Sequence, residues 1–278
     1  MLNALACFAS SSINAHQPLA DTAMKPNRSF HLALVLLLCG TFMPAALRAA
    51  PLNVASDTAL FQPVRQAASR FTARTGITLR VHKVDMARYA AHAIHAPGHP
   101  FDVVIVNAGR YAALARQHRV APGSHTDLAR IGVGIGVPAG RPVPDIATIA
   151  ALRRTLLAAH RVALADPGSD APSGTYALTL FDRLGIAGSM KNKAVLVPGP
   201  LVVTQLQVGK ADLVLAESTV LQQAPGVRFA GPLPAALQQP IPFVGGVGAR
   251  ARRPVAARAF LAFLAAELGA SARPREAP

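Results

Sequence analysis

Apolar runs of strand length alternate with helix-periodic segments along most of the chain. The segments "LNVAS" (52–56) and "FDVVIVN" (101–107) predict strands, and the second is apolar throughout, as in a strand covered on both faces. "ITLRVH" (77–82) has the two-residue period of a strand. Between the strands at 52–56 and 77–82, "ALFQPVRQAASRFTARTG" (59–76) repeats its apolar residues on one helical face and ends at a glycine, which predicts a helix.

The second half of the chain repeats this alternation. Helices are predicted around 148–159, from about Gly174, near 201–208 and over 254–268. Strands are predicted at "IGVGIGV" (131–137), "RVALAD" (161–166), "KAVLV" (193–197), "ADLVLAE" (211–217) and "IPFVGGVG" (241–248). Because strands and helices alternate, the sequence predicts an α/β fold with parallel-rich sheets and helical crossovers.

Residues 1–49 have the pattern of a secretory leader. Met24 is followed by the basic residues Lys25 and Arg28, by an apolar stretch through Leu38, and by small residues up to Ala49. This order is typical of a signal peptide, so we expect cleavage near Ala49 and a periplasmic protein, with Met24 as an alternative start. A retained membrane anchor is the alternative, but the apolar stretch is too short to span a bilayer.

Both cysteines, Cys7 and Cys39, lie in this leader. The mature chain would then contain no thiol, which excludes cysteine catalysis, disulfides and zinc–thiolate sites. His92 and His95 share a predicted helix face, but no carboxylate or fourth ligand is close in sequence, so we expect a solvated face. We expect neither a metal nor a cofactor.

The formal net charge of +15 changes the expected partners. The basic residues are mostly single arginines, no basic tract alternates with aromatic residues, and Trp is absent, which argues against nucleic-acid binding. A diffuse positive field favours attraction of small anions. With 51% hydrophobic residues the chain can form a substantial core. We expect a monomer with a small anionic ligand and no nucleic-acid partner.

Five segments, taken in order, resemble one family. They are "PFDVVI", "LARIGVGIGVPAG", "ADPGSDAPSGTYALTLFDRLGI", "GKADLVLAES" and "VRFAGPLPAALQ". Together they resemble the molybdate-binding-protein-like group of periplasmic solute receptors, which serve ABC importers. The resemblance covers residues 52–266 and implies a two-lobed periplasmic binding protein (type 2) with two crossing strands. Lobe one would comprise residues 51–131 plus 232–278, and lobe two residues 132–231.

The resemblance also implies which residues hold the ligand between the lobes. A hydroxyl would come from Ser56 or Thr58, in the first strand-to-helix turn "ASDTA". Backbone amides of lobe two would lie at Ser173 and near Val202. Hydroxyls and amides of this kind hold an oxyanion without burying a formal charge.

Two positions depart from the family pattern and change the expected ligand. "VDMARY" (84–89) has no Ser or Thr where the oxyanion receptors have serines, and Glu217 stands where they have a tyrosine. The same segment brings in Arg88, whose guanidinium suits a carboxylate through two parallel hydrogen bonds. We therefore expect an organic carboxylate rather than molybdate. Alternatively, Arg88 is a surface residue paired with Asp85.

The loop "DPGSDAPSGTY" (166–176) leads into a helix whose first amides have no internal partner. These amides and the helix dipole attract anions. We expect Gly174 to let a ligand approach the backbone, with Ser173, Thr175 and Tyr176 as further contacts. Alternatively, Ser173 only caps its helix and Tyr176 packs in the core.

Asp57 and Glu217 would repel an anion unless they are protonated or neutralised. We interpret them as capping or ion-pair residues; otherwise one of them is a general base, since some proteins on this scaffold resemble isomerases of unsaturated tricarboxylic acids. The sequence thus predicts an exported solute-binding protein that hands a small anion to an ABC importer permease, rather than an enzyme. A periplasmic isomerase of a di- or tricarboxylic acid and a molybdate- or tungstate-binding protein are the alternatives.

Overall fold

The computed structural model describes residues 50–84, 101–169 and 171–272, so the expected leader lies outside the described residues. The strands are β1 (Leu52–Ser56), β2 (Leu79–Lys83), β3 (Val103–Asn107), β4 (Thr126–Ile131), β5 (Val133–Pro138), β6 (Val162–Ala165), β7 (Ala194–Val197), β8 (Leu213–Glu217), β9 (Val227–Pro232) and β10 (Ile241–Val247). The helices are α1 (Phe61–Thr75), α2 (Ala108–Arg116), α3 (Ile149–Ala158), α4 (Pro172–Arg183), α5 (Ala187–Met190), α6 (Thr204–Gln207), α7 (Ser218–Gln223) and α8 (Pro254–Ala272). Within these ranges no helix has the length and apolar character that a membrane span requires.

The strands form two sheets with the same order of connections. The first sheet runs β2-β1-β3-β10-β4, with β1 parallel to β2 and β3 and with β10 antiparallel to β3 and β4. The second runs β7-β6-β8-β5-β9, with β6 parallel to β7 and β8 and with β5 antiparallel to β8 and β9. Each sheet therefore presents three adjacent carboxyl ends at one edge, which is where open α/β sheets bind ligands.

Two segments carry the chain between the sheets. β4 and β5 follow each other through Gly132, and β9 and β10 are joined by residues 233–240. Gln238 ties the two segments together: its Oε1 accepts from the Val133 N–H at 3.1 Å and its Nε2 donates to the Val133 carbonyl at 2.7 Å. The predicted α/β architecture with two lobes and two crossing segments is confirmed.

Local sequence explains the elements that cover the first sheet. The apolar face of α1 is buried through Val64, Ala67, Ala68 and Phe71, as its periodicity predicts. Gly76 ends this helix with a φ of 71°, a conformation that glycine adopts without strain, and its N–H donates to the Thr72 carbonyl. The Phe71 ring meets that of Phe260 on α8 edge-on, with centroids 5.4 Å apart, so α1 and α8 pack together.

Two predicted elements are divided in the structure. The single strand expected at 131–137 is the end of β4 followed by β5, because the chain leaves the first sheet at Gly132. The helix expected near 201–208 is a 3-10 turn, Gly199–Leu201, followed by the one-turn helix α6. Pro200 lies inside that turn, and Gly209 ends the segment with a φ of 70°.

Candidate ligand-binding site

A cavity of about 320 Å³ lies where the carboxyl ends of strands from both sheets meet. Its volume falls in the range of small-molecule sites, roughly 300–1,000 Å³. The first sheet contributes residues that follow β1, β2 and β3, and the second contributes residues that follow β6, β7 and β8. The lining includes five residues predicted from the sequence: Asp57, Thr58, Ser173, Val202 and Glu217.

Ser173 provides donors at the beginning of α4. It follows Pro172, the first residue of the helix, and it is only 1% exposed. The preceding Ala171 has no side chain that caps the helix, so the first amides need other acceptors. The hydroxyl and the backbone N–H of Ser173 both favour the charged form of the Glu217 carboxyl, which lowers its pKa. The donors predicted for an anionic ligand therefore already act on a carboxylate of the protein.

Glu217 ends β8 and stands at the N-cap position of α7, yet its side chain makes no capping hydrogen bond. The equivalent residue of the first sheet is Asn107, which ends β3 and precedes α2. Its Oδ1 accepts from the Arg110 N–H at 2.9 Å and caps that helix. Glu217 differs from Asn107 because its side chain does not cap the helix that follows it, and it lines the cavity together with Ser173.

The environment of Glu217 changes its protonation. Burial raises the pKa of this carboxyl from 4.5 to about 7, and the nearby negative charge of Asp57 also raises it. Hydrogen bonds from its own backbone and from Ser173 act in the opposite direction but do not outweigh burial. A carboxyl group with a pKa near neutrality can hold or release a proton under physiological conditions, which is the property that proton-transfer catalysis requires.

Asp57 lies on the first-sheet wall of the cavity. Its Oδ1 accepts from the Ala59 N–H at 3.0 Å, and its own N–H donates to the Ile105 carbonyl at 2.9 Å. Ser56 is fully buried, with its hydroxyl donating to the Asp57 carbonyl at 3.1 Å, and it does not line the cavity. Of the two hydroxyl residues that the resemblance implies for this wall, Thr58 lines the cavity and Ser56 does not.

Val202 and Gly174 both differ in detail from their expected roles. Val202 lines the cavity, but its N–H donates to the Gly199 carbonyl at 3.2 Å inside the 3-10 turn. Gly174 is absent from the lining, and a side chain there would collide with the carbonyl of Ala165. This glycine therefore allows α4 to pack against the end of β6, rather than a ligand to approach.

Thr175 and Tyr176 also lie away from the cavity. Thr175 borders two other depressions, one of which lies beside the second crossing segment. Tyr176 is 6% exposed and its hydroxyl donates to the Leu237 carbonyl in the second crossing segment, so it packs in the core as the alternative interpretation expects. Burial raises its pKa, and the positive charge of Arg183 only partly offsets this.

Some sequence candidates fall outside the described residues. Arg88 and its alternative partner Asp85 are among them, as are His92 and His95. Within the part of the chain that the structure describes, no three His, Cys, Asp or Glu side chains gather into a metal-binding group.

Several polar residues of the cavity were missed by the sequence reasoning, and three of them end or follow strands of the first sheet. Lys83 is the last residue of β2, Asn107 is the last residue of β3, and Arg110 lies in the first turn of α2. Each stands at, or just after, the carboxyl end of a predicted strand. That position is a usable signal once the order of the parallel strands is known.

Comparison with known proteins assigns the family. Residues 52–272 match the model of a family described as bacterial extracellular solute-binding protein. The chain belongs to this family. This solute-binding protein is also 30% identical over 241 residues to the aconitate isomerase of Pseudomonas sp, a match that covers 85% of this chain and 90% of the relative.

Solved structures agree with the fold. The periplasmic molybdate-binding protein of Azotobacter vinelandii matches with a TM-score of 0.64 and 19% identity, over 80% of this chain and 97% of that one. PEB3 with bound L-phospholactate matches with a TM-score of 0.60 and 13% identity, over 77% of this chain and 92% of that one; PEB3 comes from Campylobacter jejuni. The predicted resemblance to molybdate-binding-like solute receptors, and the two-lobed fold of this solute-binding protein, are confirmed.

Proposed function

We propose that this protein binds a small organic carboxylate in the cleft between its two sheets and presents it to the permease of an ABC importer. The observation that carries the proposal is that Ser173, in the first turn of α4, and Glu217 line the same cavity, where the Ser173 hydroxyl and N–H favour the charged form of that carboxyl. An amide and a hydroxyl at a helix start that accommodate one carboxylate suit another of the same geometry. Membership in the solute-binding family supports the transport role.

The lining also favours an organic ligand over molybdate. Phe61, Val203, Val220 and Phe243 add apolar surface to the cavity. A carbon skeleton can bury such surface on binding, whereas an inorganic oxyanion gains nothing from it. Glu217 and Asp57 would repel a compact dianion more strongly than an acid whose charged groups lie apart.

Thermal-shift measurements test the ligand class. Ligands that bind only the folded protein stabilise it by about 2.7 kcal/mol at a hundredfold excess over Kd. We expect organic acids to raise the Tm and expect Ser173→Ala to lose most of this effect, while Ser189→Ala, an exposed residue of α5, retains it. Strong stabilisation by molybdate and tungstate, with none by organic acids, would contradict the proposal.

An isomerase is a second candidate, because Glu217 has a pKa of about 7 beside a cavity that suits carboxylates. The aconitate isomerase relative supports this candidate. In an allylic isomerisation, Glu217 would take a proton from one end of a three-carbon allyl unit as the C–H bond breaks. The double bond would then shift, and the same proton would return to the other end.

Turnover distinguishes the candidates. Incubation of trans-aconitate with the protein in D₂O, followed by proton NMR, detects both a shifted double bond and exchange at carbon. The isomerase candidate requires turnover that Glu217→Gln abolishes while Glu267→Gln, on α8 outside the cavity, retains it. Binding with neither a shifted double bond nor exchange at carbon leaves the receptor function alone.

Export and assembly complete the proposal. We propose a periplasmic monomer whose leader is removed near Ala49, in agreement with the extracellular character of the family. N-terminal sequencing of protein from a periplasmic extract, with light scattering for its mass, tests both points. An uncleaved leader or a stable dimer would contradict them.

A further inference from the structure

The two walls of the cavity carry different kinds of anion-binding groups. On the second-sheet wall the described residues include no lysine or arginine, and recognition there rests on the neutral donors of Ser173. On the first-sheet wall, Lys83 and Arg110 line the same cavity. An anionic group of the ligand thus meets dipoles on one side and formal positive charge on the other.

Sheet order explains why the two cations share one wall. The first sheet runs β2-β1-β3, so β1 has a neighbour on each side. Lys83 ends β2 and pairs in register with Ser56, directly before Asp57; Arg110 follows β3, the other neighbour of β1. Lys83 and Arg110 therefore flank Asp57, and among the described residues this wall has a formal charge of about +1 at neutral pH.

The cations differ in exposure. Lys83 is exposed and forms no ion pair with any residue that the structure describes, whereas Arg110 is half-buried. A cleft that closes over a ligand removes water from Lys83, which is costly for a charge that has no ion-pair partner among the described residues. A negative group of the ligand beside Lys83 offsets that cost.

We propose that Lys83 and Arg110 form a second carboxylate subsite, so that the preferred ligand bears at least two carboxylates and bridges the cleft from this pair to Ser173. This inference rests on the proposed function, because it assigns the two ends of the organic acid in that same cavity. Neither residue was a candidate from the sequence. A monocarboxylate can bind the groups of only one wall and therefore cannot connect the two sheets.

Calorimetric titration with butyrate, succinate and tricarballylate tests the subsite, since the first two have four carbons each and differ by one carboxylate. We expect succinate to bind at least tenfold more tightly than butyrate. We expect Lys83→Gln and Arg110→Gln each to weaken succinate about tenfold or more and to leave butyrate within about twofold. Arg110→Lys retains the positive charge but loses the forked guanidinium, so its affinity for succinate should lie between those of the wild type and Arg110→Gln.

Matched controls remove the same charge elsewhere. Lys191→Gln at the end of α5 and Arg154→Gln on α3 change exposed residues outside the cavity, and both should leave the succinate-to-butyrate ratio unchanged. Equal affinity for the two acids, or an equal loss for both acids in the Lys83 and Arg110 variants, overturns the subsite while the organic-acid proposal stands. If none of the three acids binds the wild type, both proposals fail.

Discussion

Replacing Glu217 by glutamine should change how stability depends on pH. The carboxyl has a pKa of about 7 in the folded protein, against 4.5 for an ordinary glutamate. Below pH 4.5 both folded and unfolded forms hold the proton, so the shift has no effect. Between 4.5 and 7 the unfolded chain ionises while the folded protein keeps its proton, and the free energy of unfolding falls as pH rises.

The size of this effect follows from the shift itself. At about 1.4 kcal/mol per pKa unit, the ionised carboxylate destabilises the folded protein by about 3 kcal/mol above pH 7. An amide in place of the carboxyl would keep the hydrogen bond from Ser173 without a titrating charge. We therefore expect Glu217→Gln to match the wild type near pH 4.5 and to exceed it by up to about 3 kcal/mol at pH 8.

Urea unfolding, followed by circular dichroism at several pH values, measures this difference. Glu267→Gln is the matched control: it removes an exposed ion pair with Arg70 and should cost at most about 1 kcal/mol, with little change between pH 5 and 8. A wild-type-minus-Glu217→Gln difference that stays constant from pH 5 to 8 would refute the reasoning, because burial would then not be acting on the charged form.

Three further changes probe the cleft and its supports. Above pH 7 succinate is already fully ionised, so its own charge no longer changes with pH. As Glu217 ionises, we expect calorimetry to show that succinate binds more weakly, by a factor approaching tenfold per pH unit. An affinity that does not depend on pH would contradict this. Gly174→Ala should lower the free energy of unfolding, measured with urea, by about 1–3 kcal/mol, because the new methyl group meets the carbonyl at the end of β6. The control Gly188→Ala in α5 places its methyl group in open space and should be neutral or stabilising. Gln238→Ala should lower the free energy of unfolding by about 1–3 kcal/mol, because it leaves backbone groups of both crossing segments without their hydrogen-bond partner. Replacing the exposed Gln239 by alanine should have little effect. Equal losses in the two variants would contradict the proposal that Gln238 connects the segments.

Much of the fold could be predicted because its signals are local. The apolar period of α1, the continuous apolar run of β3 and the glycine at residue 76 each act within a few residues of sequence. The division of residues 131–137 between two strands depends on pairing with β10 on one side and with β8 and β9 on the other. Those partners lie far along the chain, so periodicity cannot reveal the break at Gly132.

The candidate site likewise contains some residues that could be predicted from the sequence and others that could not. Ser173 was predicted from the helix start that it occupies, and Asp57 and Glu217 were singled out through the family resemblance; all three line the cavity. Lys83 and Arg110 were missed because, taken singly, a lysine at a strand end and an arginine in a helix resemble ordinary surface charges. Only the strand order β2-β1-β3 brings them to one wall.

Glu217 has opposite consequences under the two candidate functions. As part of a receptor it competes with the ligand for the Ser173 donors and adds negative charge to the site, so Glu217→Gln should tighten the binding of a dicarboxylate above pH 7. As part of an isomerase it is the base, so the same substitution should retain binding and stop turnover. At the equivalent position of the first sheet, Asn107 caps the helix that follows it, whereas Glu217 leaves its helix without a side-chain cap. The missing cap and the raised pKa both lower the stability of the folded protein. A glutamate at residue 217 therefore favours a role in ligand chemistry over a role in folding.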